Sequence, residues 1–182
     1  ISITNDLTDN LLKDLRNGNI DIAIISIPKY NIKDLNINYI KDLTDIFVGG
    51  SNYKDTKYKN IKELLNEEII LQKKTSVTRN NFDDYLKEKN LICNPKMEVV
   101  SHNLLTKIIE SNFGIGLLTK EFIKDKLDNT LFEIKTPITI PKRKLGYALK
   151  SNSILCCTEL LEFVYLLPHR CISVWQFLFW RD

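Results

Sequence analysis

Three short stretches of this sequence put hydroxyl and amide side chains where an anion is most easily held. In Thr75-Ser76-Val77-Thr78-Arg79 the hydroxyls precede a helical run carrying Phe82, Tyr85 and Leu86, so they fall at a helix start. There the first backbone N–H groups have no intrahelical acceptor, and the helix dipole favours negative charge. Asn5-Asp6-Leu7-Thr8 opens a second helical run, through Leu11, Leu12 and Leu15, although Asp6 opposes an anion. Ser101-His102-Asn103 is a third start, directly after an extended stretch. Ser26 follows an apolar run, where α/β sheets hold ligands beyond the carboxyl end of a strand. Each has a plainer reading beside it. The hydroxyls serve as well for helix capping, and His102 as a surface or capping histidine. Gly114 and Gly116 read as packing and turn residues, and Asp21 as structural.

Other chemistry is not supported. The sequence contains no G-x-S-x-G, no H-E-x-x-H, no phosphate loop and no convergent acid–base set, so an enzyme is not expected. The cysteines, Cys93, Cys156, Cys157 and Cys171, include no C-x-x-C, and an adjacent pair is poorly placed for an ordinary bridge. His102 and His169 lie far apart. No metal and no cofactor are expected, and reduced thiols in the cytoplasm fit best.

Length and charge bound the rest. A chain of 182 residues buries about 70% of its unfolded surface, so it can build a core without metal or disulfides. The prior is one domain or two small lobes. The net charge is +3 with the signs interleaved, and Lys142-Arg143-Lys144 reads as a solvated loop, so a nucleic-acid surface made by this chain alone is not expected. No apolar stretch approaches the ~20 residues of a membrane span, and no secretory leader is visible. The chain opens abruptly, Ile1-Ser2-Ile3 reading as the end of a strand already under way.

The elements that must position these residues alternate. A first helix through Leu15 stops at Gly18, and Ile20 to Ile25 is a near-continuous apolar run, read as a strand buried on both faces of a parallel sheet. Ile37 to Leu43 and Asp45 to Val48 are extended, and Gly49-Gly50 ends them. Then follow a short helix at Ile61–Leu65, a strand at Ile69–Leu71, the helix of Phe82, a strand at Met97–Val100 and a helix at Asn103–Glu110. Gly114 to Leu118 is a strand, and a helix is predicted through Phe122, Ile123 and Leu127. Strands at Leu131–Ile134 and Leu145–Leu149 and a helix over Ile154–Leu167 close the pattern. The fold class is α/β with mainly parallel sheets. The aromatic-rich tail 168–182 stands outside it.

Leu12-x-x-Leu15-x-x-Gly18-x-x-Asp21-Ile22-Ala23-Ile24 resembles a signature of the effector domain of LysR-type transcriptional regulators. Asp45–Val48, Ile61–Leu64, Phe82–Asn90 and Ile108–Leu118 resemble later pieces of that family, in its order, so the resemblance covers essentially residues 1–167. Asn90 and Asn112 stand where glycines are usual, and Thr119 where proline is. The family's opening strand and helix, its winged helix-turn-helix and its linker helix have no counterpart in this sequence.

The resemblance implies a two-lobed fold like type II periplasmic binding proteins. Residues 1–43 plus 145–167 would form lobe one and 44–144 lobe two. A small-molecule effector, a carboxylate on electrostatic grounds, would occupy the cleft. Its contacts would be Thr4, Asn5, Thr8, Ser26, Thr75, Ser76, Thr78, Arg79, His102 and Asn103, with Arg79 adding charge. The partner implied is another copy of the chain, as dimer or tetramer, through a surface near Leu11–Ile25, and DNA is reached only through the missing domain. A solute-binding protein of the same fold is the alternative.

Overall fold

The computed structural model describes residues 6–151, with Ser2 and Thr4 ahead of them. Asn5, the segment 154–167 expected to be a helix, the 168–182 tail, His169 and three of the four cysteines lie outside the described residues. The elements are α1 (Thr8–Asn17), β1 (Ala23–Ser26), β2 (Leu35–Leu43), β3 (Asp45–Gly49), α2 (Ile61–Leu65), β4 (Ile69–Gln72) and α3 (Val77–Glu88). After them come β5 (Met97–Val99), α4 (His102–Glu110), β6 (Ile115–Thr119), β7 (Phe132–Glu133) and β8 (Arg143–Lys150). They fall into two compact units. Unit 1 takes the described residues up to Asp42 and from Arg143 onward, and unit 2 takes Leu43–Lys142.

In unit 2 a five-stranded sheet runs β5-β4-β6-β3-β7. β4 pairs parallel with β5 and with β6, whereas β3 pairs antiparallel with β6 and β7. Consecutive residues of β4 go to opposite cores. Ile69 and Leu71 join Phe47, Phe82, Leu86 and Ile115 on one face, and Ile70 joins Val48, Leu105, Ile109 and Leu118 on the other. This is the run of unbroken apolar residues that a strand covered on both faces requires. Each fully buried aliphatic or aromatic side chain contributes roughly 1.5–3 kcal/mol.

Local backbone chemistry fits the same frame. Gly18 ends α1 with φ 78°, its N–H returning to Asp14 and Leu15 carbonyls. Asn90 (φ 54°) and Asn112 (φ 61°) both adopt the left-handed region. Asparagine tolerates that region better than other side chains, so it replaces glycine there at little cost. Gly114 has φ 158° and a Cβ there would run into the Glu68 carbonyl oxygen, so no other residue fits.

In unit 1 a three-stranded sheet runs β1-β8-β2, with β1 antiparallel to β8. One cluster, Leu12, Leu15, Ala23, Ile25, Leu35 and Ala148, packs α1 on the sheet. Three expectations need correction. The strand pairs are mixed rather than mainly parallel. The run from Ile20 is not buried on both faces: the strand begins at Ala23 and alternates, with Ile24 and Ser26 only half-buried. The helix expected through Phe122 and Leu127 is a single 3-10 turn, Lys120–Phe122, followed by tight turns around Asp128 at φ 60°. The Lys126 carbonyl takes both the Thr130 and the Leu131 N–H, closing the chain on itself before a helix can propagate.

Candidate functional site

The parallel strands set the geometry. In register, Gln72 of β4 lies beside Val99 of β5, and the Lys73 N–H donates to the Val99 carbonyl at 2.9 Å. The chain turns from each strand straight into a helix, so the starts of α3 and α4 arise side by side at the carboxyl edge of the sheet. β6 ends at the same edge with Thr119. Such an edge is where open α/β sheets hold ligands.

The two helix starts are finished differently. Ser101 caps α4 by accepting from the Leu104 N–H at 3.3 Å. Ser76 occupies the capping position of α3 with extended backbone, but its side chain makes no cap. Its hydroxyl instead donates to Gln72 Oε1 at 2.7 Å. Simple capping therefore accounts for Ser101 and does not account for Ser76. Thr75 is exposed, and Ser76 and Thr78 are half-buried at the first turn.

Arg79 points elsewhere. Its side chain is 2% exposed, with Nε 2.9 Å from both oxygens of Asp83 and Nη1 2.6 Å from Glu98 Oε1 and 3.2 Å from the Gln72 carbonyl. Burial alone would lower its pKa, but the bonds to Asp83 and Glu98 outweigh that and raise it. The guanidinium is thus held between two carboxylates.

His102 and Asn103 are half-buried in the first turn of α4. The His102 ring meets Phe122 edge-on at 5.9 Å, and its carbonyl accepts from Thr106 Oγ1. Sequence reasoning missed two neighbours of this edge. Asp45 and Thr119, 5% and 2% exposed, face each other across β3 and β6, and Thr119 Oγ1 donates to Asp45 Oδ1 at 2.8 Å. The available signal was a polar residue at one end of an otherwise apolar strand, first in β3 and last in β6. Gln72, the last residue of β4, carries the same signal.

The remaining candidates belong to unit 1. Thr4 is exposed, Thr8 begins α1 and Asn5 lies outside the described residues. Asp6 takes the Leu7 N–H and the Asn10 amide, so a carboxylate already sits at that helix start. Ser26 Oγ accepts from Arg143 Nη1 at 2.7 Å. Among the described residues no group of three or more His, Cys, Asp and Glu is placed to hold a metal. No helix among them is long and apolar enough to cross a membrane.

A family model for the LysR substrate binding domain matches residues 1–155. No curated protein matches the chain in sequence. Among solved structures, an OxyR mutant of Corynebacterium glutamicum is 18% identical with a TM-score of 0.69, covering 95% of this chain and 54% of that one. The chain thus spans about half the length of that relative. The regulatory domain of CcmR from Synechocystis PCC6803, in complex with 2-PG, is 18% identical with a TM-score of 0.73, covering 88% of this chain and 79% of the other. The effector binding domain of QuiR, in complex with shikimate, is 18% identical with a TM-score of 0.67, covering 81% and 70%. At such identities the likeness carries the fold, which is that of type II periplasmic binding proteins.

Proposed function

The chain belongs to the LysR substrate-binding domain family, and from that membership we propose that it is the small-molecule-sensing part of a LysR-type transcriptional regulator. The family is regulatory rather than catalytic. The observation that carries the sensing reading is the start of α3. Its first-turn N–H groups have no side-chain cap, stand at the carboxyl edge of β4 and are flanked by the Ser76 and Thr78 hydroxyls. That arrangement suits a small carboxylate. In our reading the contacts are Thr75, Ser76 and Thr78, joined by His102 and Asn103 at the start of α4. In this reading Arg79 ties α3 to the β4 backbone at Gln72 and to the Glu98 side chain of β5 instead of touching the effector. Thr4, Asn5 and Thr8 remain proposals from the family resemblance, and Ser26 from its place at the carboxyl end of β1.

The signal itself is a population shift, so the effector must bind two states of the protein with different affinity. DNA would be contacted by a separate winged helix-turn-helix domain, in the cytoplasm, with the sensing chains paired as dimers or tetramers. β1 lies at the edge of its described sheet, and an open edge favours association. Size-exclusion chromatography yielding a strict monomer would argue against pairing.

Thermal denaturation with shikimate, 2-PG and neutral analogues tests the site. An anion at a hundred times its dissociation constant adds about 2.7 kcal/mol to stability. Stabilisation by a carboxylate that Thr78→Ala abolishes is the expected result. Equal stabilisation of wild type and Thr78→Ala removes the α3 start from the site.

A further inference from the structure

The chain passes between the units twice, at Asp42–Leu43 and at Lys142–Arg143. Near each passage the backbone of unit 2 is fastened by a side chain. At the first, the Thr44 N–H donates to Glu121 Oε2 at 2.9 Å, and the Thr44 carbonyl accepts from the Lys120 N–H at 2.8 Å. Both backbone groups of Thr44 are thus committed to the Lys120–Phe122 turn. At the second, Asn81 Nδ2 donates to the Pro141 carbonyl at 2.8 Å. Proline has no N–H, so this carbonyl is the only backbone group by which Pro141 can be held. Asn81 is 5% exposed, and Ile140 is buried in the cluster that contains Phe82. The bond is part-buried, its donor withdrawn from water and its acceptor on an exposed residue, so the cost of breaking it falls on the buried Asn81 amide.

The two clasps grow from the elements that form the candidate site. Asn81 lies one turn along α3 from Ser76 and Thr78, and Glu121 lies two residues beyond Thr119 at the end of β6. We propose that Asn81 and Glu121 are positioning residues that tie both passages to the ligand edge of unit 2, so that occupancy of that edge is felt where the chain leaves the unit. The coupling rests on the sensing reading above, whereas the clasps do not. A helix transmits displacement along its axis, and a move of the first turn reaches Pro141 through one side chain. The clasps make the course of the chain at each passage part of the difference between the two states that a ligand selects.

Limited trypsin digestion of the full chain, resolved by mass spectrometry, tests this. Lys142 and Lys59 are both exposed residues of unit 2, so cutting after Lys59 serves as the internal reference. Asn81→Ala should speed cutting after Lys142 relative to Lys59 by about fivefold, the factor that one net hydrogen bond represents. An unchanged ratio overturns the clasp, whatever ligands do. Glu121→Ala should speed hydrogen exchange over Leu43–Asp45 while Glu121→Gln, which keeps an acceptor, does not. Identical exchange in both variants overturns the clasp at the first passage. A stabilising probe, shikimate or 2-PG, should slow Lys142 cutting in wild type and fail to slow it in Asn81→Ala, although it still raises the melting temperature of that variant. If a probe stabilises wild type without altering the cutting ratio, the coupling is wrong and the sensing reading stands. If no probe stabilises the protein while Asn81→Ala still exposes Lys142, the clasp stands and the sensing reading falls.

Discussion

Two apolar runs of similar composition behave differently in the two units. In β4 of unit 2, Ile69, Ile70 and Leu71 are each 1% exposed, because α2 and α3 cover one face of the sheet and α4 the other. In β1 of unit 1, Ala23 and Ile25 are buried against α1, and Ile24 is only half-buried among the described residues. An unbroken apolar string thus reports strand formation but not two-sided burial. What covers each face is decided by elements distant in sequence.

The largest expected effect tests that contrast directly. Leu71→Ala should cost about 2–5 kcal/mol, the range for deleting a buried aliphatic side chain into a packed core. Ile24→Ala should cost roughly 1 kcal/mol or less, since its site already meets solvent. Urea denaturation of the two variants gives the comparison. Equal losses would mean that the outer face of β1 is as well packed as the middle of unit 2.

Next in size is the Arg79 cluster. Arg79→Met leaves Asp83 and Glu98 without their shared cation. Those carboxylates are 33% and 39% exposed, so water softens the loss. A cost of about 1–3 kcal/mol is expected, below that of breaking a fully buried pair. The same variant should bind a stabilising carboxylate as tightly as wild type once it is folded. A tenfold loss of affinity would return Arg79 to the effector site.

These particulars show what the sequence could and could not disclose. The order of helices and strands was legible wherever apolar spacing and a stop signal coincided, as at Leu12, Leu15 and Gly18. The left-handed turns at Asn90 and Asn112 were legible as glycine positions filled by asparagine. The fate of Arg79 was not, because its carboxylate partners lie four residues on in α3 and across in β5, and no local pattern pairs Arg79 with Glu98. The predicted helix at Phe122–Leu127 failed for a related reason. Its spacing was helical, but the turn at Asp128 and the bonds of Lys126 and Thr130 to Glu110 hold the segment in a different path.

A smaller effect separates the two helix starts of the candidate site. Ser101→Ala removes a cap and should cost about 1 kcal/mol. Ser76→Ala removes a bond to Gln72 rather than a cap, so it should cost less than Ser101→Ala while weakening carboxylate binding more. Denaturation together with ligand titration distinguishes the two. A Ser76→Ala loss equal to that of Ser101→Ala would place Ser76 back among ordinary caps.

The smallest effect concerns acid stability and contrasts one ion pair from each unit. In unit 2, burial raises the Glu110 pKa, but the hydrogen bonds from Lys126 and Thr130 outweigh it and hold the carboxyl below its ordinary 4.5. In unit 1 the hydrogen bond from Arg16 lowers the pKa of Asp34 in the same direction, at an exposed site. A depressed carboxylate contributes stability that is fully present above its unfolded pKa and is lost as pH falls through its folded value. For Glu110 that window lies at and below about pH 4.5. Glu110→Gln should therefore flatten the acid limb of stability against pH. Asp34→Asn should change it little, because salt and water screen an exposed pair. The side chains of Glu110 and Lys126 are 21% and 31% exposed, against 54% and 43% for Asp34 and Arg16, and this difference in solvent access sets the expected ranking. Urea titrations from pH 3 to 7, repeated at high salt, make the measurement. If the two substitutions flatten the limb equally, and salt erases both effects alike, then partial burial does not protect the Glu110 pair.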